Sequence, residues 1–252
     1  MLVFSFLVVI GLTYPVGPKK NITSMLISNC SEFKQYYYDS VDFILADGFE
    51  PNDCYDNVNN STRSCNHIVN DSNIQAAVKI WIEDKTTARS ILGDISTWNV
   101  SSVTNMNGLF GGIRFFNEDI TNWDTSSVTD MSNMFRDSIS FNQNIGNWNT
   151  KNVVTMESMF EGASTFNQDV SNWETGQVQN MKYMFQRAFN FKKNISLWNV
   201  SGVHEYGFLQ MFQESGYHFD DKFCNIIYYI AQNFSQKNRY WSGLDARLHS
   251  CY

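Results

Sequence analysis

The sequence predicts a repeat solenoid in which each 25-residue coil supplies one short parallel strand and one short helix or 3₁₀ turn, with helical caps at both ends. Two observations predict it: a tryptophan recurs every 25 residues, and other apolar residues keep the same step. Because no single unit of this size can bury its own apolar face, such columns indicate stacked units with a continuous core. The core columns are Trp98, Trp123, Trp148, Trp173 and Trp198; Met106, Met131, Met156 and Met181; and Phe110, Phe135, Phe160 and Phe185.

Each coil divides into two segments with different apolar spacing. The stretch 141–148 is short, rich in aromatic and β-branched residues, and bounded by polar turn residues, so it is predicted as the strand. The stretch 153–160 has apolar residues at the first, fourth, seventh and eighth positions, which predicts a short helix or 3₁₀ turn. About five such coils occupy residues 94–222.

The flanks of the repeats predict caps. Apolar residues from Ile74 to Ile82 have helical spacing, which makes 71–93 a helical N-terminal cap, with Asp71 or Ser72 as N-cap and Gly93 as the break. A second helical pattern makes 223–252 a C-terminal cap. Residues 18–70 are predicted only as a loop-rich N-terminal region.

Composition limits the classes of function. The chain has 252 residues, of which 43% are hydrophobic and 17% charged, so intrinsic disorder is excluded as a class. A net charge of −7 without a run of Lys or Arg predicts no nucleic-acid partner. The 29 Asn residues are unusual. Those at Asn117, Asn142 and Asn167 predict amides that hydrogen-bond along the stack, and the alternative is a row that binds a ligand.

The N-terminus predicts the secretory pathway. Residues 1–17 hold an apolar run that ends in Pro and Gly, which is typical of a signal peptide. A buried strand and an uncleaved anchor are the alternatives, and no other stretch is long and apolar enough to span a membrane. Glycosylation motifs point the same way; the candidate sites are Asn21, Asn29, Asn60, Asn70 and Asn233.

All five cysteines lie near the two ends of the chain, which predicts disulfide-linked ends in an oxidising compartment. Cys224 and Cys251 are the candidate C-terminal pair, and two of Cys30, Cys54 and Cys65 pair at the other end. The alternative is five reduced cysteines. Because the chain has no CxxC motif and its four His are scattered, we expect no metal site.

The columns resemble the BspA-like bacterial surface-protein repeat, which is also known as a Mycoplasma lipoprotein repeat of unknown function. The resemblance rests on the motif from Asp94 to Met106, on Met134-Phe135, and on the motif from Phe141 to Ile145. It covers about residues 73–215. It implies a leucine-rich-repeat-like solenoid and, for some members, display or adhesion at the cell surface. It implies no enzyme activity and no cofactor.

The sequence therefore predicts a secreted or cell-surface repeat protein that binds a protein or a glycan and has no catalytic residues. A structural or assembly module is the alternative, and no catalytic motif favours an enzyme. The candidate binding residues vary between coils while the core columns stay fixed, although exposed loops also vary without function. These residues are Arg114, Glu118, Arg136, Gln143, Glu161, Gln168, Gln186 and Lys193.

Overall fold

A computed structural model describes residues 68–204 and 206–217. The predicted signal peptide, most of the loop-rich region, the C-terminal cap and all five cysteines lie outside these residues. So do four of the five candidate glycosylation sites, Asn70 being the exception.

The described chain begins with a small parallel pairing and two helices. Strand β1 (Ile68–Asn70) pairs in parallel with β2 (Asn99–Ser102). Between them lie helix α1 (Ile74–Glu83), helix α2 (Lys85–Leu92) and a single 3₁₀ turn (Ile95–Thr97). The predicted helical pattern thus divides into two helices. Gly93 follows α2 with a φ of +75°, a left-handed conformation that glycine adopts at little cost.

The start of α1 differs from the predicted N-cap. The helix begins one residue after Asn73, so neither Asp71 nor Ser72 caps it. The Asp71 carboxylate instead accepts hydrogen bonds from the backbone N–H groups of Thr104 and Asn105, at 2.7 and 2.9 Å. Asp71 therefore connects the helical segment to the first repeat, because a carboxylate can satisfy two neighbouring backbone donors.

Backbone hydrogen bonds connect successive repeats at a fixed step. We define the turn segments as residues 106–112, 131–137, 156–162 and 181–187. In each, the N–H groups of alternate residues donate to carbonyls of the following repeat, with donor–acceptor distances of 2.6–3.0 Å. Of the three N–H groups between them, the last two close i→i−3 turns within the same segment, as from Leu109 to Met106, and the first donates to a side-chain oxygen two residues earlier, as from Asn107 to Asn105. Every second peptide group thus connects two repeats.

The parallel bridges do not lie where the strand was predicted. They join Asn105, Asp130, Thr155 and Asn180, each to the equivalent residue of the next repeat. No strand forms at 141–148, and 153–160, predicted as a short helix or 3₁₀ turn, forms consecutive i→i−3 turns that do not continue into a helix. In the described residues the main inter-repeat backbone bonding therefore runs along the turn segments, which were predicted as the helical side.

The turns require left-handed backbone at two positions in each repeat. The first of these is occupied by Gly108, Asn133, Ser158 and Tyr183, with φ between +55° and +65°. Only glycine adopts this region without steric cost, which for other residues is about 1–2 kcal/mol.

We therefore expect Ser158→Gly to raise the free energy of unfolding by about 0.5–1 kcal/mol, measured by chemical denaturation. The matched control is Ser127→Gly, because Ser127 has no positive φ and glycine already occupies the equivalent position at Gly202, so the change acts mainly through unfolded-state entropy. Equal effects of the two changes would contradict the assigned left-handed conformation.

The core consists of aromatic and methionine side chains in columns. The Phe110 column stacks at ring-centroid distances of 5.6 Å, and each of its rings also lies 3.7–3.9 Å from a second phenylalanine of the same repeat. All of the predicted Trp, Met and Phe column residues are at most 5% exposed. The indole N–H of Trp148 donates to the carbonyl of Ile120 in the preceding repeat, and the equivalent bond recurs at Trp123, Trp173 and Trp198.

Three threonines add hydrogen bonds inside this core. Thr125, Thr150 and Thr175 are 1% exposed, and each hydroxyl donates to a backbone carbonyl of the next repeat at 2.9–3.1 Å. The equivalent residues in the first and last repeats are Val100 and Val200, which have similar shape but no donor. Polar side chains thus occur in this column only in the middle repeats, where each has an acceptor above it.

The last repeat departs from the regular spacing of the others. The turn segment 181–187 donates to Gly207, Leu209, Met211 and Gln213, two residues later than in earlier repeats. Tyr217 packs edge-on against Phe191 and Phe212 and donates its hydroxyl to the carbonyl of Lys193. Burial raises the pKa of this phenol well above its ordinary value.

Candidate functional site

The eight candidate binding residues fall on two adjacent surfaces. Five of them belong to what we call the corner strip, residues 114–118, 139–143, 164–168 and 189–193; they are Arg114, Glu118, Gln143, Gln168 and Lys193. The other three, Arg136, Glu161 and Gln186, occupy equivalent positions in successive turn segments. The structure therefore separates the predicted residues into two groups with different contacts.

The group on the turn segments is occupied by ion pairs. The Glu161 side chain is 8% exposed and lies between two guanidinium groups, at 3.3 Å from Arg136 and 2.9 Å from Arg187. Asp137 lies within 3.9 Å of both arginines. Gln186 donates to the Gln213 carboxamide at 2.5 Å. Since these side chains bind one another across three repeats, this surface is better suited to stabilising the repeat contacts than to binding a ligand.

The corner strip has a regular backbone. In each repeat its central phenylalanine is at most 3% exposed, while the residues on both sides of that phenylalanine are exposed or half-buried. The N–H of Ser140 donates to the carbonyl of Arg114, and the equivalent bonds join Thr165 to Ile139 and Asn190 to Ser164, at 3.0–3.2 Å. The strip therefore presents side chains in straight columns.

Stacked amides connect these columns along the stack, mainly through hydrogen bonds between an amide and a backbone group, while one bond, from Gln168 Nε2 to Asn142 Oδ1 at 3.0 Å, joins two side-chain amides. Asn117 Oδ1 accepts from the backbone N–H of Asn142, and Asn142 Oδ1 accepts from that of Asn167, both at 2.9 Å. Gln143 Nε2 donates to the Asn117 carbonyl, and Gln168 Nε2 to the Asn142 carbonyl, both at 2.8 Å. Each side-chain amide thus uses one of its two polar atoms in a hydrogen bond to the backbone of a neighbouring repeat. In the described residues, the Asn Nδ2 and Gln Oε1 atoms of these columns make no hydrogen bond.

The charges of the strip lie at its two ends. Glu118 forms an ion pair with Lys85 of α2 at 2.7 Å, while Arg114 stands at the exposed corner. Lys192 and Lys193 belong to the fourth repeat. The second and third repeats contribute only uncharged residues to the strip: Ile139, Ser140, Asn142, Gln143, Ser164, Thr165, Asn167 and Gln168.

Two exposed phenylalanines were not among the predicted binding residues. Phe115 is 80% exposed and Phe189 is 57% exposed, whereas the phenylalanines of the core columns are nearly fully buried. The signal was available in the sequence, because both replace residues that are small or polar in most other repeats, such as Ser140 and Ser164. The strip thus has an aromatic ring in its first and its fourth repeat.

Most other polar residues of the repeats serve turns. The side-chain oxygens of Asp119 and Asp169 accept from the backbone N–H two residues later, and this hydrogen bond is the main cause that lowers the pKa of each carboxyl. Asn194 and Asn199, both in glycosylation motifs, make the same bond. Asn70, the one described candidate for glycosylation, also accepts at Oδ1 from the Ser72 N–H. The turn geometry therefore explains many Asn-x-Ser motifs without invoking a glycan.

Two features are absent from the described residues. Within 68–204 and 206–217, no three His, Cys, Asp or Glu side chains are grouped so that they could hold a metal ion. Over that part of the chain, no helix has the length and apolar character needed to cross a bilayer.

These observations define a class, that of proteins built from 25-residue repeats joined by backbone bonds. Two overlapping regions, residues 82–175 and 119–226, match the family model described as "Mycoplasma protein of unknown function, DUF285". The matched regions cover more than half of the chain, and the chain belongs to this family. No curated protein and no solved structure matches the chain.

Proposed function

We propose that this chain is a leucine-rich-repeat-like solenoid of the BspA-like kind that binds another macromolecule, a protein or a glycan, and carries out no chemistry. The observation that carries the proposal is the corner strip, where half-buried and exposed polar side chains stand in columns on a scaffold fixed by backbone bonds. Solenoids bind partners on extended surfaces of this kind, because side chains vary on a constant backbone.

The same proposal places the protein outside the cytoplasm, in secreted or surface-exposed form. It rests on the predicted signal peptide at residues 1–17, on the terminal cysteines and on the sequence resemblance. Mass spectrometry of the chain recovered from cells that make it tests this part. We expect loss of Met1 with the apolar run and a paired Cys224–Cys251. An intact N-terminus with five free thiols would contradict secretion.

Binding itself is tested with the full chain on an array of surface proteins and glycans. We expect retention of a defined partner class by a chain that stays monomeric in light scattering. The second candidate function is an assembly module, which is favoured by the carbonyls that the first turn segment points away from the second repeat, because an open backbone edge can pair with another chain. Concentration-dependent oligomers without any array signal would support that candidate and overturn the first.

A further inference from the structure

The side chains of the corner strip restrict the class of ligand that it can bind. Its two central repeats offer four amides and three hydroxyls but no ionisable group. A partner that depends on ion pairs, such as nucleic acid or a sulfated polymer, finds no counter-charge there. A partner rich in groups that both donate and accept hydrogen bonds fits this surface better.

The amides are also ordered in advance. Asn142 is fixed because its Oδ1 already accepts from Asn167, and Gln143 is fixed because its Nε2 already donates to Asn117. The atoms that remain available to a ligand are the donor Nδ2 of Asn142 and the acceptor Oε1 of Gln143. Since their rotamers are set before binding, a ligand that uses these atoms loses little side-chain entropy. A sugar hydroxyl donates and accepts at once and so can bridge such a pair.

Aromatic rings stand near both ends of this row. Phe115 belongs to the first repeat and Phe189 to the fourth, at 80% and 57% exposure. Three steps of parallel chain, at about 4.8 Å each, separate them by about 14 Å along the stack. An exposed ring gives an apolar platform for the C–H face of a pyranose, while the hydroxyls around the sugar edge remain free for the amides.

We propose that the corner strip binds a neutral polysaccharide chain, laid along the stack from Phe115 to Phe189. This inference rests on the proposed binding function and names the class of ligand for it. The amides and hydroxyls of the second and third repeats hydrogen-bond the sugar edges, and the two phenylalanines stack on sugar faces.

The test uses the full chain against immobilised neutral oligosaccharides of glucose, mannose, galactose and N-acetylglucosamine, with heparin and polygalacturonate as charged probes. We expect retention on at least one neutral probe. Phe115→Ser and Phe189→Ser should each weaken that binding about tenfold and leave the melting temperature unchanged, because serine occupies the same columns at Ser140 and Ser164. Asn142→Asp keeps the acceptor for Asn167 but removes the free donor, so it should also weaken binding.

The matched control is Leu197→Asn. Leu197 is 79% exposed, lies outside the strip, and has asparagine at its equivalents Asn122, Asn147 and Asn172. The affinity of the Leu197→Asn variant for the neutral probe should equal that of the unchanged chain. Binding only to heparin or polygalacturonate, or equal losses with Leu197→Asn, would overturn the inference. A surface-protein signal without any glycan signal would overturn it too, while leaving the proposed binding function intact. The absence of binding to every glycan probe and every surface protein would contradict both the polysaccharide inference and the proposed binding function.

Discussion

Phe160→Ala should lower the free energy of unfolding by about 3–5 kcal/mol, the range measured for a large aromatic removed from a core. Phe160 is fully buried and stacks on Phe135 and Phe185, at 5.6 Å on either side. It also lies 3.9 Å from Phe166. Because the ring above and the ring below belong to rigid columns, neither can move in to fill the cavity. Chemical denaturation followed by tryptophan fluorescence measures the loss.

The matched control is Phe115→Ala, which removes the same atoms from a ring that is 80% exposed. An exposed substitution of this kind changes stability by about 0.5 kcal/mol or less. Similar losses for the two variants would mean that the stacked columns do not form the core.

Removal of one complete repeat should leave a folded protein. Deleting residues 142–166 joins Phe141 to Asn167, and the new junction presents the same column order as before. Each turn segment bonds only to the repeat next to it, so the remaining repeats find equivalent partners. We expect cooperative unfolding and a retained near-ultraviolet circular dichroism signal, with a lower melting temperature because one interface is lost.

A deletion that breaks the period should abolish the fold of the repeats. Removing residues 142–154 shifts every later column out of step with the earlier ones. Trp173 then no longer aligns with Trp123 in the tryptophan column. The expected loss is the whole folding free energy of the array, which is of order 5–15 kcal/mol for a domain of this kind. A native-like spectrum for this shorter deletion would show that contacts at 25-residue steps do not determine the fold.

The periodic part of the structure was readable from the sequence. The Trp, Met and Phe residues that recur every 25 positions are the buried residues, because a repeat that stacks on copies of itself must keep its core residue types in place. The helical pattern before the repeats also corresponds to helices, α1 and α2. The spacing of apolar residues predicts the buried face well wherever a segment buries only one of its faces.

The backbone geometry of each repeat was not readable in the same way. The segment 153–160 has helical apolar spacing, yet consecutive turns with a left-handed residue such as Ser158 give the same spacing of buried side chains. The bonds of the asparagines were also hidden, since Asn142 could have donated to another amide as readily as it accepts from Asn167. Spacing reports which side chains are buried, not which backbone groups they meet.

The turn segments also make the stack electrically polar along this side. Every second peptide group there points its N–H toward the later repeat and its carbonyl toward the earlier one, and each peptide has a dipole of about 3.5 D. The first segment thus ends in carbonyls, one of which, at Asn107, accepts from Gln75 of α1. Two copies cannot pair these first segments through their backbones, because carbonyl would face carbonyl. Whatever extends the stack at that edge must bring donors.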